Sequence, residues 1–405
     1  MIPIKTLIKK LHLWLGITSG LVVVILGITG CIYVFEEELK QLVYRQRYNV
    51  NHSGHAPLPI EELLPIAQEA LGKDKPVITI RIPSESGKSY HFSTYKSDPE
   101  GWNYFNTSKY HLTAYINPYS VEVLAVENTR LEFFRIVLWL HYNLLLGNVG
   151  KQIVGWSTVV FILLLITGLV LWWPKNKAAA KQRYWFRWKS TTKSKRKNYD
   201  LHNILGFYLF SLGLVIALTG LVWAFPWFNQ GVDWLANGGK NSPKRISEYA
   251  DFTEAPKKEG IQDLILYDLK QKNPDGHRYE IRKLEGTFLF QGLTLYKNSY
   301  QRHRFDIYQY HPETAEALEQ LTYADKTKGE KLRSMNYPIH VGSILGLPGK
   351  ILAFFASLIA ASLPITGFMI WYNRVYGKKK SRDHQKPAMG KPSKFKSKNL
   401  PSIET

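Results

Sequence analysis

Apolar and polar residues fall in long alternating blocks along this chain. Four blocks, residues 11–35, 153–173, 201–225 and 351–371, are predominantly apolar and hold no Lys, Arg, Asp or Glu in their middles. A helix needs about 20 such residues to cross the hydrocarbon core of a bilayer. Trp172, Trp173, Trp223, Trp227, Trp371 and Tyr372 gather at the block ends, as in the aromatic belts of membrane interfaces. The pattern predicts four transmembrane helices.

Between the blocks the periodicity changes. Residues 57–71 read as a helix, with Ile60, Leu63, Leu64, Ile66, Ala67 and Leu71 apolar. Residues 77–82 and 89–95 alternate as strands about a Ser86-Gly87-Lys88 turn, and 109–115 reads as a third strand. Asn117-Pro118-Tyr119-Ser120-Val121-Glu122-Val123-Leu124 turns into a fourth. The later polar region, 229–336, ends on His311-Pro312-Glu313-Thr314-Ala315-Glu316-Ala317-Leu318. Both endings follow Pro-x-(Ser/Thr)-x-Glu-x-Leu, so the second region repeats the first α+β unit at least in part.

The apolar blocks repeat too. His12-Leu13-Trp14-Leu15-Gly16 and His202-Asn203-Ile204-Leu205-Gly206 share His-x-x-Leu-Gly. His141 precedes Gly147, Gly150 and Lys151 as His340 precedes Gly346, Gly349 and Lys350. A Thr-Gly pair follows each histidine: Thr29-Gly30, Thr167-Gly168, Thr219-Gly220 and Thr366-Gly367. His12 to Thr29 and His202 to Thr219 are both 17 residues, and His141 to Thr167 and His340 to Thr366 are both 26. Two spacings, each matched twice, mark an internal duplication. The threonines are expected to return hydrogen bonds to their own helix backbone, as packing elements.

Charge sets the topology. The chain has 405 residues, 53 Lys and Arg, and a formal net charge of +21. Lys5, Lys9 and Lys10, a loop over 175–197 with ten Lys or Arg and no acid, and a tail over 374–398 carry much of the excess. All three fall on one side of a four-span chain, the cytoplasmic side by the positive-inside rule. Glu36-Glu37-Glu38 falls outside. Orientation and contact with anionic lipid account for the basic segments, so no nucleic-acid partner is expected. The single cysteine, Cys31, excludes a disulfide framework and Cys-based iron–sulfur or zinc sites. Ile28-Thr29-Gly30-Cys31 has the form of a lipoprotein cleavage box, but its apolar run exceeds a signal core and reads as a retained anchor.

The expected fold class is a membrane protein with four main transmembrane α-helices in two parallel repeats, each half carrying an extracytoplasmic α+β insertion. Its expected parts are 1–36, first span; 37–130, α+β domain; 131–174, outer-face helix plus second span; 175–199, basic loop. Then come 200–227, third span; 228–334, second α+β region; 335–373, outer-face segment plus fourth span; and 374–405, a basic disordered tail.

These motifs resemble the PepSY-associated transmembrane family. The resemblance rests on His12 to Gly16, Asn117 to Leu124, His141 to Lys151, His202 to Gly206, and Ile339-His340-Val341-Gly342 with Gly346-Leu347-Pro348-Gly349. It covers residues 4–374 and makes the α+β insertions PepSY-like. Some members are inner-membrane ferric-siderophore reductases, held to be haem proteins with bis-histidine ligation. For this chain that implies a bacterial inner-membrane location and b-type haem on His12, His141, His202 and His340. Other members carry flavin modules. This chain has no flavin or nicotinamide fingerprint, which leaves the electron donor as a quinol or a separate reductase.

Residue chemistry supports the same reading. Imidazole at the edge of hydrocarbon is costly without a partner, and haem iron accepts neutral imidazole nitrogen. Topology pairs His12 with His202 at the inner face and His141 with His340 at the outer face, one haem for each pair. Seventeen residues of helix span about 25 Å, but 26 would span about 39 Å. The outer histidines therefore belong on a separate turn, expected to break at Gly147/Gly150 and Pro348/Gly349. Gly16 and Gly206 lie one turn beyond their histidines, where they either admit a flat macrocycle or permit close helix packing. Arg135, Lys151 and Lys350 either meet haem propionates or snorkel at the interface. His52, His55, His91, His111, His277, His303, His311 and His384 occupy polar segments and read as solvated or structural.

The functional expectation is a transmembrane oxidoreductase delivering electrons to an extracytoplasmic ferric siderophore or similar ferric chelate. The alternative is a non-enzymatic module whose PepSY-like units bind or regulate partner proteins. A transporter is disfavoured, because the spans lack buried charges.

Overall fold

The computed structural model describes residues 3–51, 54–174, 176–243, 258–284, 289–296 and 303–377. His52, Lys175, His384 and residues 378–405 of the tail expected to be disordered lie outside them, whereas Arg374 and Val375 of that tail end the last helix. Helix α1 (Ile4–Val34) leads into two short helices, α2 (Glu36–Val43) and α3 (Arg45–Tyr48). Next come α4 (Ile60–Leu71), β1 (Thr79–Pro83) and β2 (Tyr90–Ser97). A single turn, α5 (Tyr104–Thr107), precedes β3 (Ser108–Ile116) and β4 (Val123–Glu127). Helix α6 (Phe133–Asn143) starts where Glu132 accepts the backbone N–H groups of Phe134 and Arg135, an N-cap. Then follow α7 (Gly147–Trp172), α8 (Lys177–Arg183), α9 (Ser194–Ala224) and α10 (Pro226–Ala236). The second polar region holds α11 (Ile261–Lys272), β5 (Gly276–Lys283), β6 (Phe290–Tyr296), β7 (Phe305–Tyr310) and β8 (Ala317–Leu321). Helix α12 (Lys328–His340) opens on a Thr327/Glu330 capping box, and α13 (Gly346–Val375) closes the described chain.

Four helices are long and apolar enough to cross a membrane: Ile4–Val34, Gly147–Trp172, Ser194–Ala224 and Ser343–Val375. Their outward side chains stay uncovered; Leu21 is 73% exposed and Val149 66%. An apolar belt of this extent requires lipid around it. Small residues let the helices approach. A Cβ on Gly27 would sit 2.7 Å from Ala361 Cβ, and one on Gly155 2.7 Å from Phe225.

The break before α7 includes the expected Gly147, at φ 58°, but begins earlier, and the break before α13 falls ahead of Pro348 and Gly349. Leu144 and Leu145 take φ values of 55° and 61°, and Gly342 and Gly346 of 76° and 66°. Gly150, Pro348 and Gly349 lie inside the helices that follow. A Cβ on Gly150 would overlap the Asn143 carbonyl, and one on Gly349 the Gly342 carbonyl. These glycines admit the turn backbone.

The strands form one antiparallel sheet, ordered β4-β3-β2-β1-β5-β6-β7-β8. The β1–β5 ladder, with Ile80 opposite Ile281, joins the two polar regions. Helices α4 and α11 cover one face. Ile60, Leu63, Ala67, Ile265 and Leu269 pack there on Ile80, Ile82, Phe92, Ile281 and Tyr310. Asp263 of α11 accepts the N–H groups of Ile60 and Glu61 at 2.7 and 2.9 Å, capping α4.

The opposite face is polar. One row of cross-strand partners runs Glu127, Thr113, Ser93, Thr79, Arg282, Gln291, Gln309 and Glu319, with no apolar member. The adjoining row carries Tyr115, His91, Arg81 and Glu280 and then turns apolar at Leu293, Ile307 and Leu321. Tyr48 packs over this face, 5.5 Å from the His91 ring and 5.4 Å from Tyr115. Burial, then Arg81 and Arg278, push His91 down to about 3. Burial, then Arg135 and Arg81, push His111 down to about 4. The unfolded chain therefore binds more protons than the folded chain below the ordinary histidine value of about 6.5. Stability is expected to fall as pH drops from 6.5 toward 4. His91→Gln and His111→Gln should each flatten that slope in thermal melts of the purified protein. An unchanged slope in both variants would remove these histidines from the acid sensitivity.

Candidate functional site: two facing histidine pairs

The structure brings the four histidines together two by two. His12 on α1 faces His202 on α9, with ring centroids 6.3 Å apart and planes at 88°. His141 near the end of α6 faces His340, the last residue of α12, at 6.1 Å and 77°. A metal–imidazole bond of about 2.0–2.1 Å, as at zinc, and a ring centroid roughly 1.1 Å behind the nitrogen place two trans ligands about 6.3 Å apart. Both separations match one ion gripped from opposite sides.

Each imidazole is held from behind by one of the four threonines. His12 Nδ1 lies 2.9 Å from Thr167 Oγ1 and His141 Nδ1 2.9 Å from Thr29 Oγ1. His202 Nδ1 lies 3.0 Å from Thr366 Oγ1 and His340 Nδ1 2.9 Å from Thr219 Oγ1. Every one of these hydroxyls also donates to the carbonyl four residues back: Thr29 to Ile25, Thr167 to Leu163, Thr219 to Val215 and Thr366 to Ser362, at 2.6 to 2.9 Å. A hydroxyl has one proton, so Oγ1 must accept from Nδ1–H. The hydrogen-bond network thus assigns the tautomer: Nδ1 carries the proton and Nε2 keeps its lone pair.

The glycine after each threonine makes room for the ring. A Cβ at Gly168, Gly30, Gly220 or Gly367 would stand 3.3, 3.5, 3.6 or 3.1 Å from the Cε1 of His12, His141, His340 or His202. The sequence reading found the backbone half of the threonines' role and missed the histidine half. The spacings of 17 and 26 marked the threonines but not which histidine each one meets.

At the end of the bundle that carries the chain terminus, a cavity of about 880 Å³ opens around His12 and His202. That is within the usual range for cofactor pockets. Gly16 and Gly206 line it, and a Cβ on either would find its nearest neighbour 3.8 Å away. They form cavity wall, unlike Gly27 and Gly155, which pack against neighbouring helices. Leu13, Phe161, Leu165, Phe207 and Leu363 give an apolar lining, and Lys9 and Arg374 also line the cavity. Neither cation stood out in the sequence, because basic residues were already expected there for topology.

The other pair lies outside the four spans. Burial pushes His141 down to about 4, and burial with the neighbouring His141 pushes His340 down to about 3. Both imidazoles are neutral at physiological pH. Arg135 is half-buried 5.5 Å from the Trp139 ring, with its Nε buried and without a hydrogen-bond partner. Lys151 lies 5.7 Å from the Tyr142 ring. Lys350 is buried and engaged by both oxygens of Glu38 at 2.7 and 2.8 Å, tying α13 to α2. Among the described residues no three His, Cys, Asp or Glu gather as a metal cage. A haem needs only axial ligands from protein. Paired Nε2 lone pairs and an apolar cavity fit that group.

Four helices built to cross a bilayer, packed about facing histidines and capped by a sheet, define a multi-span membrane protein. The chain belongs to the family described as the PepSY-associated TM region, whose model matches residues 9–374. No curated protein matches this sequence.

Thr366→Val is expected to leave His202 Nδ1–H without its acceptor and to cost about 1–3 kcal/mol of stability, whereas Thr366→Ser should stay near wild type. Thermal melts test the cost, and nitrogen shifts of labelled histidine test the tautomer. A valine variant with unchanged melt and shifts would remove the threonine from this role.

Proposed function

We propose that this chain is a haem-dependent transmembrane reductase that delivers electrons to a ferric siderophore or similar ferric chelate outside the cytoplasm. The observation that carries the reading is the presence of two histidine pairs, 6.3 and 6.1 Å between centroids, at opposite ends of one helix bundle. Bound haem would supply a one-electron carrier at each pair. His12 and His202 would hold one and His141 and His340 the other. Thr167, Thr366, Thr29 and Thr219 fix the Nδ1 protons, so every Nε2 lone pair is directed to ligation. Gly16 and Gly206 leave the inner wall flat, and the apolar side chains exclude water. Lys9 and Arg374 at the first cavity can meet carboxylates.

By the positive-inside rule the termini and the loop bearing α8 are cytoplasmic and the sheet is extracytoplasmic, in a bacterial inner membrane. Two parallel repeats account for the layout: α1, α6 and α7 on one side, α9, α12 and α13 on the other, with a sheet whose order reads outward from β1 and β5. Each repeat contributes one histidine to each pair. The donor is a quinol or a separate reductase. Reduction of the ferric ion weakens its hold on hard oxygen ligands and frees the iron.

Protein purified from haem-supplied cells is expected to show a reducible low-spin spectrum with about two haems per chain. His12→Ala should remove one haem, and adding His202→Ala should remove no more. His12→Ala with His141→Ala should remove both. A colourless preparation would sink the reductase reading and favour a partner-binding module. Retention of one haem in the His12/His141 double variant would overturn the pairing.

A further inference from the structure

Helix α10 has two unlike faces. Phe225, extended at φ −124° and ψ 119°, separates it from the α9 span, and Pro226 opens it. Trp227 (60% exposed), Trp234 (47%) and Leu235 (70%) stand uncovered. With Gly231 they fall at i, i+4, i+7 and i+8, one face of a helix. A Cβ on Gly231 would meet no atom within 4 Å among the described residues. The opposite face is filled. Phe228, Val232 and Asp233 line, with Leu218, Leu332 and Asn336, a cavity of about 180 Å³ between α9, α10 and α12. Asp233, the single charge of the helix, accepts from the N–H and the hydroxyl of Ser242 at 2.9 and 2.7 Å. Asn237 accepts the Gly329 N–H at 2.8 Å and ties the end of α10 to the start of α12. The charge and the flanking amide thus address protein, and the uncovered face is apolar save for Gln230 at its edge.

The neighbouring span shows what lies beside that face. A Cβ on Gly155 of α7 would stand 2.7 Å from Phe225 and 3.2 Å from Ala224, so α7 at Gly155 is level with the end of α9. From there α7 continues outward to the exposed Val149, about 9 Å further along. The lipid-facing belt therefore extends past the end of α9, alongside the first turns of α10. Trp156, Phe225 and Trp227 join the two surfaces in one aromatic run, with ring centroids 5.4 and 5.6 Å apart. Indole rings are enriched where hydrocarbon meets water. The matching helix of the other half differs. An offset of 190 sets Trp227 against Glu37 and Leu235 against Arg45. Ion pairs hold α2 instead, Lys40 with Glu36 and Glu132, and Glu38 with Lys350. The apolar face is a property of α10 and not a by-product of the duplication.

We propose that α10 lies in the membrane interface on the sheet side, with Trp227, Gly231, Trp234 and Leu235 seated among lipid at the boundary of headgroups and acyl chains. At about 16 Å the helix is too short to cross a bilayer. In water such a face would invite association with another chain. The proposal does not rest on the reductase reading.

Fluorescence quenching tests it. A bimane label is attached at Trp234→Cys or Leu235→Cys, each with Cys31→Ala, in the full chain reconstituted into phosphatidylcholine vesicles. Lipid brominated in the upper acyl chain should quench both labels, and aqueous iodide should reach them little. Labels at Leu358→Cys on α13 and at Asp74→Cys in the loop after α4, both exposed positions, mark the lipid and water limits. Thermal melts establish that each variant is folded. Adding Trp227→Asp should make the Leu235→Cys label lose most of its lipid quenching and gain iodide quenching, because a carboxylate is costly in that layer. Three results would overturn the proposal: iodide quenching at the Asp74 limit, shielding from both quenchers as a protein partner would give, or lipid quenching unmoved by Trp227→Asp.

Discussion

The bundle depends on keeping four imidazoles neutral and aimed. An imidazole N–H left without an acceptor in an apolar surround costs about 1–3 kcal/mol. Aspartate or glutamate would satisfy it at the cost of a charge inside a span. Threonine gives the acceptor without the charge. Its own proton goes to the carbonyl four residues back, a bond that helices tolerate, so the hydroxyl brings no new polar demand. Each histidine–threonine contact also joins two helices. Thr167 ties α7 to α1, Thr29 ties α1 to α6, Thr366 ties α13 to α9, and Thr219 ties α9 to α12. The bonds that orient the rings therefore also fix which helices are neighbours.

The sheet supplies the second constraint. The turn before α5 rests on the α6–α7 turn, where Tyr104 N–H donates to the Leu145 carbonyl at 2.9 Å. Asn143 holds that turn by accepting from Leu145 N–H at 3.1 Å. His141 sits two residues earlier, so the plate of strands and the sheet-side histidine pair are mechanically linked. Because β1 and β5 pair directly, both polar regions belong to one sheet.

The four spans were legible because lipid demands long runs of apolar residues with backbone bonds satisfied internally. The helix and strands of the first polar region were legible from periodicity, as with Ile60, Leu63, Ala67 and Leu71. The histidine pairs followed from matched spacings. Other features rest on contacts that no local pattern encodes. Thr167 meeting His12 depends on the order of helices in the bundle. The joining of two polar regions through Ile80 and Ile281 unites residues about two hundred positions apart, and strand alternation does not name a partner. Lys350 meets Glu38 across 312 positions. The break at Gly147 was legible, but its start at Leu144 and Leu145 was not, because two non-glycine residues adopt positive φ there, a choice disfavoured locally and imposed by the packed turn.

The matches and mismatches between the halves follow one rule. An offset of 190 takes His12 to His202 and Gly16 to Gly206, but Lys9 to Tyr199. An offset of 199 takes His141 to His340 and Thr167 to Thr366, but Arg135 to Ser334. Even Lys151 and its counterpart Lys350 differ in surroundings, one beside Tyr142 and the other engaged by Glu38. The residues that match are those whose rings meet between the halves, His12 with His202 and His141 with His340. The matched residues thus gather where the two halves meet, and the unmatched ones lie away from that meeting point.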